Sequence, residues 1–388
     1  MQPSLTFSPI TLEEFIADYW QRRPVLLRQA IDPDLLQLPA DELAGLACEE
    51  GVESRLIRQQ GETDWSLQHG PLAEEVFGTL PDSHWTLLVQ DVDKFIPEVA
   101  ALLDAFNFLP DWRIDDIMIS YAVDQGGVGP HTDNYDVFLV QAQGRRRWRL
   151  SDRDYGDAQL LPDCPLRVLR EFHTSEDWIL EPGDVLYLPP RIAHWGTAEG
   201  ECVTWSVGMR GPSQTELLDA WLHHLAADMR PRHFHDALAP GRIPPAGITA
   251  TELETARRLM HDLMPHDDDT FRRWFAAFVT EPKPGFEVQP LEDNLAPGEL
   301  RARVVSGLPL RRHSWARFAT VQLEEDRQHA LCAQGECFDA PPGLTPAVEL
   351  LATQRRLEPG HLLSLPRQDL LWPWMATLFN RGLLLLDG

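Results

Sequence analysis

The chain of 388 residues has few cysteines and no long apolar run. Its five cysteines are scattered and odd in number, which argues against the disulfide framework of small secreted proteins and points to a reducing compartment. No stretch approaches the ~20 apolar residues that a transmembrane helix needs. The N-terminal sequence "MQPSLTFSPITLEEF" lacks the basic and apolar regions of a signal peptide. We therefore expect a cytoplasmic protein with no membrane partner.

Basic side chains are scarce as well, since 34 lysines and arginines face 60 aspartates and glutamates, a formal net charge of −26. The excess of acidic side chains is distributed unevenly along the chain. Residues 301–388 hold 10 basic and 9 acidic side chains, so residues 1–300 hold 24 and 51. An acidic surface of this kind repels phosphate backbones and anionic lipid headgroups. The charge argues against direct nucleic-acid binding and suits a basic protein partner.

Strand-like runs dominate the first half of the chain. A capping box of Thr11 and Glu14 predicts an initial helix. Runs such as "WTLLVQDV", "IMISYAV" and "DVFLVQA" then alternate with Gly, Pro and Asp turns. Many short strands separated by turns are typical of a β-sandwich or barrel. We assign residues 1–210 to this domain.

Helical periodicity replaces the strand pattern after residue 210. Ser213 with Glu216, and Thr251 with Glu254, have the spacing of capping boxes that begin two helices. The run "TFRRWFAAFV" predicts a third helix. The linker-like stretch "EPKPGFEVQPLEDNLAPGEL" then leads to alternating short strands and helices. We expect a helical domain at 211–290 and a small α+β module of winged-helix type at 291–388.

The stretch "GPHTDNYDVFLV" places His131 and Asp133 two residues apart, just before an apolar strand. In extended backbone such residues point the same way, so an imidazole and a carboxylate can meet at one metal ion. A third donor follows in "EPGDVLYLPPRIAHWG", where a Pro-Pro pair ends a strand and delivers His194. Two histidines and one carboxylate form the facial triad of non-haem Fe(II) oxygenases.

The run "RRRWRL" adds a candidate co-substrate contact. Arg146 shares one strand face with Trp148 and Leu150, and this apolar face should point inward. A buried arginine is costly unless it is paired, and a carboxylate is its natural bidentate partner. A small dicarboxylate such as 2-oxoglutarate could pair with Arg146 and chelate the iron. Ser120, in "IMISYAV", could donate its hydroxyl to the same carboxylate.

Each of these signals is weak alone, because an H-x-D pair or an arginine run is usually structural or solvated. The joint order favours an enzyme site: H-x-D, an inward arginine thirteen residues after Asp133, and later P-x-x-x-H. His233 and His235 form a second cluster beside Asp236, but its Pro- and Ala-rich surroundings do not favour a metal. Cys332 and Cys337 lack the second Cys/His pair of a zinc site.

Three stretches together resemble a known family: "GGVGPHTDNYDVFLVQAQGRRRWRL", "LEPGDVLYLPPRIAHWG" and "TWSVGMRGP". They are similar to the JmjC-type 2-oxoglutarate oxygenases, above all to the bacterial ribosomal oxygenases. The resemblance extends over the whole chain, from "FIADYWQRRPVLLR" onward. It implies an α+β fold with a double-stranded β-helix (jelly-roll, cupin/JmjC) catalytic domain, helices for homodimerisation and a C-terminal winged-helix-like domain.

The resemblance also implies an activity. Members of this family use Fe(II), 2-oxoglutarate and dioxygen to hydroxylate the β-carbon of an arginine in a basic protein of the large ribosomal subunit, the sixteenth of its set. Matched by position, the iron ligands would be His131, Asp133 and His194. The co-substrate contacts would be Arg146 and Ser120.

The substrate contact is a further expectation, because Asp124 stands near the expected mouth of the site and would suit a guanidinium. Two other functions remain open. One is the same oxygenase chemistry on another protein or on a small molecule, since substrate choice lies in loops without a readable code. The other is a non-catalytic dimeric regulator associated with nucleic acid. The complete triad and Arg146 count against that regulator, as does the near-neutral charge of residues 301–388.

Overall fold

The structure is a computed structural model that describes residues 3–61, 63–228, 232–235, 248–261, 268–323 and 328–387. No helix within these ranges is long and apolar enough to cross a bilayer. The described ranges include His233 and His235, whereas Asp236 lies outside them. This second histidine cluster, which the sequence does not favour as a metal site, therefore falls partly outside the described residues.

Nine antiparallel strands form one continuous sheet system in the first part of the chain. They are β1 (Val25–Leu27), β2 (Ser54–Gln59), β3 (Trp65–His69), β4 (Trp85–Val89), β5 (Ile114–Ala122), β6 (Val137–Ser151), β7 (Glu176–Leu180), β8 (Val185–Leu188) and β9 (Ala193–Met209). Their spatial order is β1-β8-β6-β9-β5-β4-β2-β3, and β7 pairs with β6. The short strands thus form the β-architecture that their sequence pattern predicted.

Strand β6 bends, and the bend allows it to pair with two different strands along the same edge. Its first residues pair with β8 and residues 146–150 pair with β7, while β9 runs along the other edge. Register shifts between Gln141 and Arg145 mark the bend. Gly144 sits there at φ +63°, and a Cβ on it would meet the Glu201 carbonyl. Glycine is therefore required where the strand turns from one half of the barrel to the other.

Helices cover the outside of this barrel. They are α1 (Leu12–Glu14), α2 (Ala40–Cys48), α3 (Val92–Phe95) and α4 (Pro97–Ala101). The predicted capping box of α1 is confirmed, because the Thr11 N–H donates to Glu14 at 2.7 Å and the Glu14 N–H donates to Thr11 at 3.1 Å. The next residue, Phe15, is fully buried and packs on Phe138 and Tyr187 with ring centroids 5.8 and 5.0 Å away. The cap thus fixes where the N-terminal segment enters the core.

Three longer helices follow the barrel: α5 (Gln214–Asp228), α6 (Ala250–His261) and α7 (Asp268–Phe278). Ser213 and Glu216 cap α5 reciprocally, as predicted. The second predicted cap was wrong by two residues. Thr249 and Glu252, rather than Thr251 and Glu254, make the reciprocal bonds, because the helix begins at Ala250.

The C-terminal part is a mixed α/β unit with its own core. Its helices and strands are α8 (Pro297–Val305), β10 (Leu310–Arg312), β11 (Phe318–Gln322), β12 (His329–Ala333), β13 (Glu336–Asp339), α9 (Thr345–Thr353), β14 (Arg356–Leu357), α10 (Pro359–Ser364), α11 (Gln368–Asn380) and β15 (Leu384–Leu386). The strands form two sheets, β14-β10-β15 and β11-β12-β13. Helix α7 and the residue after it pack on the second sheet through Ala276 and Val279. The domain boundaries at 210 and 290 stay predictions.

The cysteines differ from expectation at one place. Cys332 and Cys337 stand directly opposite each other in the β12–β13 pair and are joined as a disulfide. The sequence argued against a disulfide framework and did not anticipate this single bond, which forms because the tight hairpin brings the two cysteines face to face. Cys48, Cys164 and Cys202 are free.

A buried ion-pair cluster joins the C-terminal unit to the barrel. Asp111, just before β5, accepts hydrogen bonds from Arg312, from Arg355 and, at 2.8 Å, from the Phe318 N–H. Burial alone would raise the pKa of Asp111, but the two guanidinium groups hold it below its ordinary value. Charges buried this deeply are tolerated only because they are mutually paired.

Candidate active site

Backbone pairing brings the two predicted histidines together. His131, in the loop before β6, and His194, at the start of β9, form an isolated antiparallel bridge with N–H to carbonyl distances of 3.0 and 2.9 Å. Asp133 Oδ2 lies 3.9 Å from His131 Nε2 and 3.6 Å from His194 Nε2. One ligand atom from each residue lies within 4.8 Å of the others. The three side chains therefore converge on one point, as their spacing predicted.

The remaining ring nitrogens fix both imidazoles for metal binding. Nδ1 of His131 lies 3.0 Å from the Gly129 carbonyl, and Nδ1 of His194 lies 2.9 Å from the Ile192 carbonyl. A carbonyl only accepts, so each Nδ1 carries the proton and each Nε2 keeps its lone pair. Burial and the neighbouring His131 lower the pKa of His194 to about 4, so that ring is neutral near pH 7. These donors fit a divalent transition metal such as iron.

Arg146 lies on the inward face of β6, and the predicted strand parity is confirmed. Arg146, Trp148 and Leu150 are buried, whereas Arg145 and Arg147 are exposed. Gly196 stands opposite Trp148 in the β6–β9 pair, and a Cβ there would collide with the Trp148 ring and with Arg146 Nε. The β9 partner strand therefore leaves room for a guanidinium beside the barrel axis.

The charge of Arg146 has no acidic partner within the described residues. Its Nη1 donates to Ser120 Oγ at 3.1 Å, and its Nε is buried without a hydrogen-bond partner. Burial lowers the pKa of this guanidinium. A buried, underbonded arginine beside a hydroxyl is a receptor for a carboxylate that comes from outside the chain. The residues therefore fit the distal carboxylate of a dicarboxylate co-substrate.

The metal-binding point and Arg146 open into one cavity of about 350 Å³. Apolar and polar side chains share its wall, including Leu139, Met118, Thr204, Ser206 and Tyr135. Pockets of this size, mostly apolar with a few fixed polar groups, suit small ligands. The arrangement can hold a metal at one end and a carboxylate at the other, with a side chain of a larger substrate entering from outside.

Comparison with known proteins identifies the family. The profile of the JmjC domain matches residues 101–217, and that of the ROXA-like winged helix matches residues 258–377. The ribosomal protein uL16 3-hydroxylase of Escherichia coli is 34% identical over 97% of this chain and 97% of its own. The chain belongs to the JmjC ribosomal oxygenases.

Two further relatives agree with that assignment. A probable ribosomal oxygenase of Haemophilus influenzae is 33% identical over 76% of this chain and 74% of its own. The structure of YcfD, a ribosomal oxygenase from Escherichia coli in complex with cobalt and 2-oxoglutarate, superposes with a TM-score of 0.82. It is 33% identical to this oxygenase, and the match covers 100% of both chains. The jelly-roll and winged-helix fold expected from the sequence is confirmed.

Asp124 lies away from the cavity of this oxygenase. The residue is exposed, and its Oδ1 accepts the Gly200 N–H at 2.9 Å, while its backbone pairs with Ser83. The structure thus does not bring Asp124 together with the other predicted residues. Its carboxylate instead holds the backbone of β9 at Gly200, where φ is +78°.

Sequence reasoning missed Asp116, an acidic residue on β5. Residues 116, 118 and 120 of this strand share one face, and Met118 and Ser120 line the cavity. Asp116 Oδ2 accepts from Gln90 at 2.7 Å and from the Asp91 N–H at 3.0 Å. Burial and the neighbouring Asp91 raise the pKa of Asp116 to about 7, against the opposing charge of Lys283.

Asp116 is buried between a glycine of the opposite strand and Tyr135, a residue of the cavity wall. Gly208 stands opposite it in the β5–β9 pair, and a Cβ at position 208 would lie 3.2 Å from Asp116 Oδ1. The pKa of Tyr135 is raised by burial and by the charges of Asp133 and Asp116. The sequence did carry a signal for Asp116. It lies four residues before Ser120 and two before Met118, so placing Ser120 at the site puts Asp116 on the same strand face.

Proposed function

We propose that this oxygenase hydroxylates the β-carbon of an arginine side chain in a basic protein of the large ribosomal subunit. The co-substrates are 2-oxoglutarate and dioxygen, and the metal is Fe(II). The observation that carries the proposal is the shared cavity of the His131, Asp133 and His194 cluster and the unpaired Arg146. The 34% identity with a uL16 3-hydroxylase over nearly the whole chain supports the substrate class.

Each residue of the cavity has a separate task. His131, Asp133 and His194 hold Fe(II), which with 2-oxoglutarate and dioxygen supplies the oxidising power to place one oxygen atom in a C–H bond. Arg146 pairs with the distal carboxylate of 2-oxoglutarate, and Ser120 Oγ, 3.1 Å from its Nη1, orients the guanidinium. Apolar neighbours such as Leu139 and Trp148 keep water from these charges.

The substrate guanidinium pairs with Asp116 rather than with Asp124. Asp116 shares its strand face with two cavity residues, and its Oδ1 faces the space left by Gly208. Burial raises the pKa of Asp116 to about 7, and an incoming guanidinium would favour the ionised form. Tyr135, whose pKa is raised in part by the charge of Asp116, lines the cavity beside it.

Charge favours a protein partner over nucleic acid. Residues 1–300 carry a net charge of −27, and residues 301–388, which contain most of the winged-helix match, carry +1. Such a surface attracts a basic ribosomal protein and repels RNA. Association with the substrate is therefore fast and weakens as salt rises, because the Debye length is ~8 Å at physiological ionic strength.

A homodimer formed through the helices between 211 and 290 is part of the proposal. Trp221 is buried within its own chain against Trp274, with ring centroids 4.8 Å apart. Leu218 and Leu222, one turn apart on α5, are 56% and 45% exposed. Apolar side chains repeated on one helix face suit a second copy of the chain. Light scattering at micromolar concentration should report a dimer, and a monomer would remove this part of the proposal.

Purified enzyme tests the function directly. With Fe(II) and air present, the basic ribosomal protein uL16 should stimulate the enzyme's consumption of 2-oxoglutarate and its formation of succinate. Matched mixtures contain a histone or free arginine instead, which represent other protein substrates and small molecules. Equal stimulation by the histone would favour a different protein substrate, and no consumption under any condition would favour the non-catalytic regulator.

A further inference from the structure

A second arginine, Arg55, lines the cavity, and the proposed binding of iron, 2-oxoglutarate and the substrate guanidinium does not involve it. Arg55, on β2, lines the same cavity as Arg146 and the metal-binding residues, and it is half-buried. In the β2–β3 pair it stands directly opposite His69, which also lines the cavity and is exposed. Exposure of His69 places this pair at the outer end, whereas the buried Arg146 stands at the inner end. Arg55 therefore faces whatever enters from outside.

No carboxylate of the described residues forms an ion pair with Arg55. Its Nη2 donates to Gln90 Oε1 at 3.2 Å and approaches the Met118 sulfur at 3.9 Å. Gln90 in turn donates to Asp116 at 2.7 Å. The amide of Gln90 thus sets the position of Arg55 without neutralising its charge. The guanidinium has five N–H donors, so several remain for an acceptor that the chain does not supply.

We infer that Arg55 binds an oxygen acceptor of the substrate polypeptide next to the arginine that is hydroxylated, either a main-chain carbonyl or a side-chain carboxylate. The inference rests on the proposed function, since it needs a polypeptide at the cavity mouth. Arg55 is held through Gln90 before the substrate arrives, so its donors need little reordering on binding. Its positive charge also disfavours a second cationic side chain at that place.

Substitution of Arg55 separates this task from iron and co-substrate binding. Arg55→Met should raise the KM for uL16 about tenfold or more, the loss expected for hydrogen bonds from a charged donor. Its kcat and its affinity for 2-oxoglutarate, titrated into the cobalt(II)-loaded protein, should stay within about twofold of wild type. Arg55→Lys keeps the charge but not the planar fork, and it should recover only part of the loss.

Arg58 supplies the matched control on the same strand. Its side chain is outside the cavity wall and makes a 3.4 Å hydrogen bond to Gln68. Arg58→Met should leave the KM for uL16 unchanged. Peptides in which the acidic residues around the target are replaced by amides distinguish the two sources of oxygen. Retention of the Arg55 effect indicates a main-chain carbonyl, and its loss indicates a carboxylate.

The outcomes distinguish this inference from the proposed function. Turnover of uL16 by wild type, with an unchanged KM in Arg55→Met, would overturn the role of Arg55 alone. An equal rise of KM in Arg58→Met would also overturn it, because the effect would then belong to the charge of strand β2 as a whole. Failure of the wild-type enzyme to turn over any ribosomal protein would overturn the proposed function and this inference with it.

Discussion

Replacement of Arg146 by methionine should weaken 2-oxoglutarate binding without weakening the fold. Methionine has a similar length and no charge. In the free protein the Arg146 side chain makes one hydrogen bond to the described residues, to Ser120 at 3.1 Å, and its Nε has no partner among them. Removing an underbonded buried charge costs the folded state little and can stabilise it. The melting temperature of Arg146→Met without co-substrate should therefore equal or exceed that of wild type.

The co-substrate-bound state should respond in the opposite direction. A carboxylate can accept two hydrogen bonds from the guanidinium, and hydrogen bonds to charged groups contribute about 1.5–3 kcal/mol. Loss of that contribution corresponds to roughly a ten- to hundredfold fall in affinity. Calorimetric titration of 2-oxoglutarate into the cobalt(II)-loaded variant measures this fall. The increase in melting temperature that 2-oxoglutarate gives to wild type should shrink accordingly.

Arg147 is the matched control, one residue away on the opposite face. It is exposed and pairs with Asp177 at 2.8 Å from its Nε. Arg147→Met should leave the affinity for 2-oxoglutarate unchanged. A larger loss in Arg147→Met than in Arg146→Met would refute the assignment of the co-substrate site, and so would a full retention of affinity in Arg146→Met.

Further substitutions test the metal ligands, the buried ion-pair cluster and the substrate contact. Alanine at any one of the three proposed iron ligands should abolish turnover and weaken cobalt(II) binding, and undiminished metal affinity in all three variants would contradict the ligand set. Asp111→Asn should lower the free energy of unfolding by about 3–5 kcal/mol in denaturant titrations, because Arg312 and Arg355 lose the charge that pairs them. Asp116→Asn should raise the KM for the ribosomal protein, whereas Asp124→Asn should change only the melting temperature, and slightly. The reverse pattern would restore Asp124 as the substrate contact.

The metal ligands and Arg146 could be predicted from the sequence because their directions follow from local backbone geometry. His131 and Asp133 are two apart in extended backbone, and the burial of Arg146 follows from the period of two along β6. His194 is more distant, but a strand that ends in two prolines fixes its direction. The side-chain alternation of a strand and the rigidity of a Pro-Pro pair are local properties, so a single sequence is enough to predict them.

The sequence places Asp116 on the same strand face as Ser120, but the roles of Asp116 and Arg55 depend on pairings between distant segments, which one sequence does not reveal. Asp116 matters because Gly208 stands opposite it, 92 positions along the chain in the β5–β9 register. Arg55 matters because β2 and β5 line one cavity. Asp124 carries a suitable carboxylate and lies close to His131 in sequence. In the structure, however, that carboxylate accepts the Gly200 N–H. The same limitation explains the disulfide of Cys332 and Cys337, which requires the β12–β13 register.

Mass spectrometry of the ribosomal protein after reaction tests the proposed arginine hydroxylation directly. Purified uL16 is incubated with the enzyme, Fe(II), 2-oxoglutarate and air, and then fragmented to locate any change in mass. A gain equal to one oxygen atom on a single arginine is expected, formed by wild type and absent with Asp133→Ala. An unmodified protein in the presence of active 2-oxoglutarate turnover, or an added oxygen on another residue type, would contradict it.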